Sequence, residues 1–131
     1  MNYLSGALLL PLLTACAPTL KDVRESKVVI AGTFTSEYQA LAACSIKSFE
    51  NEIGLLQFRL VNDPSTRTAS VAAMLPTWGA TRASFEMTFQ QIGPSSVLVE
   101  ARASRWQDSG VRELAWPLVE RCAQADAAKS P

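Results

Sequence analysis

The sequence contains no histidine. That removes the commonest general base, the commonest transition-metal ligand and the side chain that changes charge near neutral pH. Charge is scarce and balanced, with 12 Lys and Arg against 12 Asp and Glu. A chain that gripped nucleic acid through its electrostatic field would be basic, so no nucleic-acid partner is expected. No apolar run reaches the roughly 20 residues that span a bilayer as a helix. The phosphate-cradling patterns GxGxxG and GxxxxGK[ST] do not occur. Neither does HExxH, a Cys/His cluster or an EF-hand loop, so no metal and no cofactor is expected. GxSxG and SxxK are missing too, which leaves the serines without a base. Glu50 and Glu52 stand two apart, a spacing that puts them on different faces of a helix, and they read as solvated surface. The expectation is a protein with no catalytic residues.

What is present suits one domain. At 131 residues, with 48% hydrophobic and 18% charged residues, the chain can bury a single core. It is neither disordered nor a polytopic membrane protein by composition. Every charged side chain lies after Cys16. The first sixteen residues are an apolar stretch with the length of a signal-peptide core.

That stretch ends in Leu13-Thr14-Ala15-Cys16, which resembles the lipobox of bacterial lipoproteins: a branched apolar residue, two small residues, then cysteine. The resemblance implies a diacylglyceryl group on the Cys16 thiol, cleavage between Ala15 and Cys16, and acylation of the new amine. One acyl chain binds a membrane only marginally, whereas two or more give stable anchoring. Ala17, rather than Asp, follows the cysteine, and in proteobacterial families that implies the outer membrane. The implied place is the cell envelope, lipid-anchored on the periplasmic side of the outer membrane, with residues 1–15 as the signal peptide. The leader departs from the usual signal pattern in carrying no Lys or Arg near its start. The alternative is a secretory signal of A-x-A type, Ala15-Cys16-Ala17, which would release a soluble periplasmic protein.

Residues 16–26 read as a lipidated tether, within which the polar stretch Ala17 to Glu25 contains Pro18 and spans about 30 Å when extended. Residues 27–125 read as the domain. Lys27 to Phe34 is a strand, rich in β-branched residues. Ser36 and Gln39 have the spacing of a capping box, and Tyr38, Leu41, Ala42, Ser45, Ile46, Phe49 and Ile53 recur at helical spacing. Gly54 stands where a left-handed cap would end that helix. Leu55 to Asn62 alternates, Asn62 to Ser65 is a turn, and Thr68 to Leu75 alternates again. Arg82 to Gln91 is the clearest strand, with Ala83, Phe85, Met87 and Phe89 on one face. Val97 to Ala103 answers it across a turn at Ile92 to Ser95. Setting Phe85 opposite Ala103 and Met87 opposite Ala101 pairs large residues with small ones, and the same register puts Glu86 opposite Arg102.

The last helix begins at Asp108 or Ser109 and carries an apolar stripe of Val111, Leu114, Ala115, Leu118, Val119 and Cys122. Pro117 either kinks it or marks its first turn. Residues 126–131 read as a flexible tail. The fold class is α+β: a two-layer sandwich of one antiparallel sheet, in the order β-α-β-β-β-β-α, with two helices on one face.

With Cys16 given to lipid, Cys44 and Cys122 remain. Export to an oxidising compartment favours their pairing as a structural disulfide over a reactive thiol. Trp78 sits in a Pro76 to Gly79 break and is a possible partner contact, or else caps the end of the core. The aromatics Phe49, Phe58, Phe85 and Phe89 either line a ligand cavity or fill the core. The leading expectation is a non-catalytic envelope lipoprotein that binds or supports another envelope protein. The runner-up is a carrier or sensor of an apolar small molecule.

Overall fold

The computed structural model describes residues 18–77, 80–104 and 107–129. In chain order these form α1 (Leu20–Glu25), β1 (Val28–Thr35), α2 (Tyr38–Glu52), β2 (Gln57–Asp63), β3 (Thr68–Thr77), β4 (Ala80–Gly93) and β5 (Ser96–Ala103). A C-terminal helix follows in three joined stretches: α3 (Asp108–Gly110), a π-helical turn (Val111–Ala115) and α4 (Trp116–Lys129). The strands make one antiparallel sheet in the order β1-β5-β4-β3-β2. Helix α2 carries the chain from one edge of that sheet to the other. The fold is α+β, as the alternation of strand and helix patterns predicts.

The β4–β5 hairpin has the register that side-chain size dictates. Phe85 pairs with Ala103, Glu86 with Arg102 and Met87 with Ala101. Along β5 every second residue is buried, from Val97 to Ala103. A one-residue slip would turn that whole row outward, so the burial itself fixes the pairing.

The core lies between one face of the sheet and the helices α2 and α4. Leu41, Phe49, Val71, Met87, Phe89, Val97, Val99 and Val119 are all fully buried within it. Each such side chain contributes about 1.5–3 kcal/mol of hydrophobic burial. Phe49, Phe58 and Phe85 touch one another with ring centroids 5.6, 5.8 and 6.3 Å apart. These rings fill the space between sheet and α2. Trp116 covers the other flank, against Phe34 and over Gly32, where a Cβ would stand 3.0 Å from the indole.

Several sequence expectations are corrected. Residues 20–25 are not part of an extended tether: they form α1, closed by a reciprocal capping box between Thr19 and Asp22. Val23 of this helix is 1% exposed yet lies outside the main core cluster. Arg24 binds Glu86, which alternates along β4 with the inward Phe85 and Met87. Helix α1 therefore covers the opposite face of the sheet, a third helix beyond the two expected. Glu37, not Ser36, caps α2, accepting from the Ala40 N–H at 2.9 Å. Gly54 does not adopt the left-handed conformation. The segment read as a tail is helical to Lys129. Ala-rich composition there favours helix, and Lys129 suits its C-terminal end.

Pro117 neither starts nor breaks the last helix. A proline there supplies no N–H, and its ring presses on the carbonyl four residues back. The chain relieves this by widening into a π turn just before it, with the Trp116 N–H donating to the Val111 carbonyl. The wider turn shifts the helical phase. Val111 and Ala115 stay buried while Leu114, expected on the stripe, is 61% exposed.

At the β1 edge the register with β5 shifts between Val28 and Ile30, which makes Val29 a bulge residue. The Arg112 guanidinium donates to its carbonyl and also bonds Asp108, tying the π turn to the sheet.

Candidate functional site

Cys16 and Ala15, the residues of the implied lipidation and cleavage site, lie outside the described residues, as does Trp78. Cys44 of α2 and Cys122 of α4 are joined in a disulfide, with Cα atoms 5.9 Å apart. Cys122 faces the core and Cys44 is half-buried beside it, so the two helices meet sideways. The bond closes a loop between positions 78 apart in sequence. Chain entropy sets its contribution at up to about 4.5 kcal/mol.

The outward sheet face is built around Glu86. Glu86 is buried, 6% exposed as a residue, with α1 lying over it. Arg24 reaches it with two nitrogens, Nε at 3.0 and 3.2 Å from the two oxygens and Nη2 at 2.9 Å. The planar guanidinium matches the carboxylate fork, the geometry in which such pairs are strongest. The hydrogen bond to Glu86 raises the Arg24 pKa above its ordinary value. Beside the pair a polar hollow of about 240 Å³ is lined by Arg24, Glu86, Thr88, Glu100 and Arg102. Across Thr88 a second, wider hollow of about 530 Å³ runs over Val61, Thr68, Ser70 and Gln90. The face beyond α1 thus offers hydroxyls, amides and charges of both signs, groups able to make hydrogen-bonded contacts.

A hollow of about 310 Å³ lies at the end of the sheet where α2 begins, lined by Ser36, Glu37, Pro94, Ser95 and Asp126 among others. Its polar groups serve the fold. Glu37 caps α2, and the Ser36 hydroxyl donates to Asp126 at 2.8 Å. Gln91 secures the same end from below. Its carbonyl accepts from the Tyr38 N–H at 2.8 Å, and its amide donates to the carbonyls of Ser36 and Gly93. At the opposite end a hollow of about 120 Å³ is lined by Pro18, Leu56, Leu75, Arg82, Ser84 and neighbouring residues. None of these four hollows is lined by Phe49, Phe85 or Phe89, so none is an apolar chamber under the helices.

Among the described residues no three of His, Cys, Asp and Glu converge on a metal-sized space. Glu50 and Glu52 are exposed, and Glu52 accepts from Arg121 of α4 at 3.2 Å. Among the described residues no helix is long and apolar enough to cross a membrane.

The Arg24–Glu86 pair was missed in sequence because residues 16–26 read as linker. The signal that would have found it is the Thr19-Leu20-Lys21-Asp22 stretch, a T-x-x-D capping pattern followed by Val23. No protein-family model matches the chain, and no curated protein matches it in sequence.

Proposed function

We propose that this chain is a non-catalytic, lipid-anchored protein of the bacterial cell envelope that binds or supports another envelope protein. The observation that carries the reading is the uncharged apolar leader ending in Leu13-Thr14-Ala15-Cys16. By its resemblance to a lipobox, Cys16 takes the lipid and becomes the first residue of the mature chain. The pairing of Cys44 with Cys122 supports export, since such bonds persist in oxidising compartments. The polar outward face beyond α1 supports a protein partner, whose contacts there would be hydrogen-bonded and wet.

The test of the anchor is mass spectrometry of the native protein together with fractionation of cells carrying Cys16→Ser. A diacylglyceryl mass on Cys16, and a soluble Cys16→Ser chain, are the expected results. An unmodified mature N-terminus at Pro18 or Thr19 would instead support the released periplasmic protein. Crosslinking of intact envelopes tests the partner. A stoichiometric envelope protein captured through Glu100 or Arg102 is expected, and its absence at every surface position tried would overturn the binding role.

A further inference from the structure

The fold begins almost at the anchor. The Pro18 carbonyl accepts from the Ala83 N–H at 2.9 Å, so Pro18 is already tied to β4. Thr19 caps α1, Val23 is buried under it and Arg24 holds Glu86. Only Ala17 separates that body from Cys16. Two residues reach at most about 7 Å when extended. The polar layer on each side of a bilayer is itself about 5–7 Å thick. A glyceride on Cys16 therefore brings Pro18 to headgroup depth, and the domain has no length of chain with which to stand clear.

We propose that the domain rests end-on against the phospholipid headgroups, on the end of the sheet that carries Pro18. This rests on the reading of Cys16 as lipidated. That end also carries Leu56, Leu75 and Arg82, which line one hollow with Pro18. Leu55 beside them is 83% exposed, more than any other large apolar side chain among the described residues. Arg82 is exposed near the same attachment point, as is Lys21, whose ammonium also reaches Glu25 at 3.8 Å. An apolar side chain entering the interface with cations at phosphate level is the pattern of interfacial binding. The attachment point decides the orientation, not apolarity alone. Ile92 is 53% exposed as well but lies at the other end, beside the β4–β5 turn. The Asp63–Arg67 turn and the Gly93–Ser96 turn then face away from the membrane.

The experiment uses the lipidated chain in vesicles of phosphatidylethanolamine and phosphatidylglycerol. It compares that chain with one carrying about twenty Gly/Ser residues between Ala17 and Pro18, which lets the domain move about 25 Å from the surface. Amide hydrogen exchange is read on both. The expected result is several-fold slower exchange at Gly54 and Leu55 in the natural chain, with the 64–67 turn unchanged. Equal exchange at Gly54 and Leu55 in the two chains, or slowing confined to the 64–67 turn, overturns the docking. The intact mass separates the two levels of failure. A chain without diacylglyceryl overturns the anchor and the docking together, whereas a lipidated chain with equal exchange overturns the docking alone.

Discussion

The Arg24–Glu86 ion pair joins buried Val23 in holding α1 to the sheet, and a double-mutant cycle measures its share. Arg24→Met keeps the aliphatic stem but takes from the Glu86 carboxylate, with 7% side-chain exposure, its bidentate partner, leaving the cross-strand Arg102 as the cation beside it. Breaking a fully buried pair costs 3–5 kcal/mol, and an exposed one about 1 kcal/mol or less. The Arg24 side chain is 55% exposed, so water enters from its side once it is truncated. The expected cost is therefore intermediate, about 2 kcal/mol. Glu86→Leu leaves a guanidinium that turns to solvent, and should cost about 1 kcal/mol. The double variant buries apolar groups in place of both charges and should also sit about 1 kcal/mol below the parent, since such replacements are often near neutral. The coupling energy is then about 2 kcal/mol. Urea unfolding followed by circular dichroism gives each value, provided the slope with denaturant is shared by all four proteins. A coupling under about 0.5 kcal/mol would refute the reasoning, because it would make the pair an ordinary surface contact.

Four further outcomes follow from the same contacts. Replacing both Cys44 and Cys122 by Ala should lower stability by up to about 4.5 kcal/mol, visible as a fall in the urea midpoint that reductant reproduces in the parent. Gln91→Ala removes three hydrogen bonds at the start of α2 and should cost about 2–4 kcal/mol, with local loss of amide protection at Tyr38 to Leu41. Ser45 is fully buried and its hydroxyl has no hydrogen-bond partner among the described residues, so Ser45→Ala should raise stability by about 1 kcal/mol in thermal unfolding. Arg67 has a φ of 52°, in the left-handed region, so Arg67→Gly should be neutral or stabilising by up to about 1 kcal/mol, while Arg67→Val should destabilise.

Legibility in the sequence followed the strength of local constraint. The β4–β5 hairpin was readable because two faces demanded the same register, one by size and the other by charge. The cysteine pairing was readable from count, once an exported chain was expected. What escaped were features set by tertiary contact. Residues 20–25 are largely polar, their one buried side chain is Val23, and Arg24 finds its partner 62 residues away on β4. The π turn before Pro117 was invisible because a fixed helical period cannot anticipate a change of pitch, and Leu114 was misplaced in consequence. Glu37 displaced Ser36 as the cap because Ser36 is drawn instead to Asp126.

The link between α2 and α4 has a consequence for wear. Positions 44 and 122 bracket most of the sheet, including the exposed 63–67 turn with its basic Arg67. A protease that clips the chain there produces two pieces that stay covalently joined and remain laced together by the strands on either side. Such damage would leave the molecule running as one band on a gel without reductant and as two bands with it.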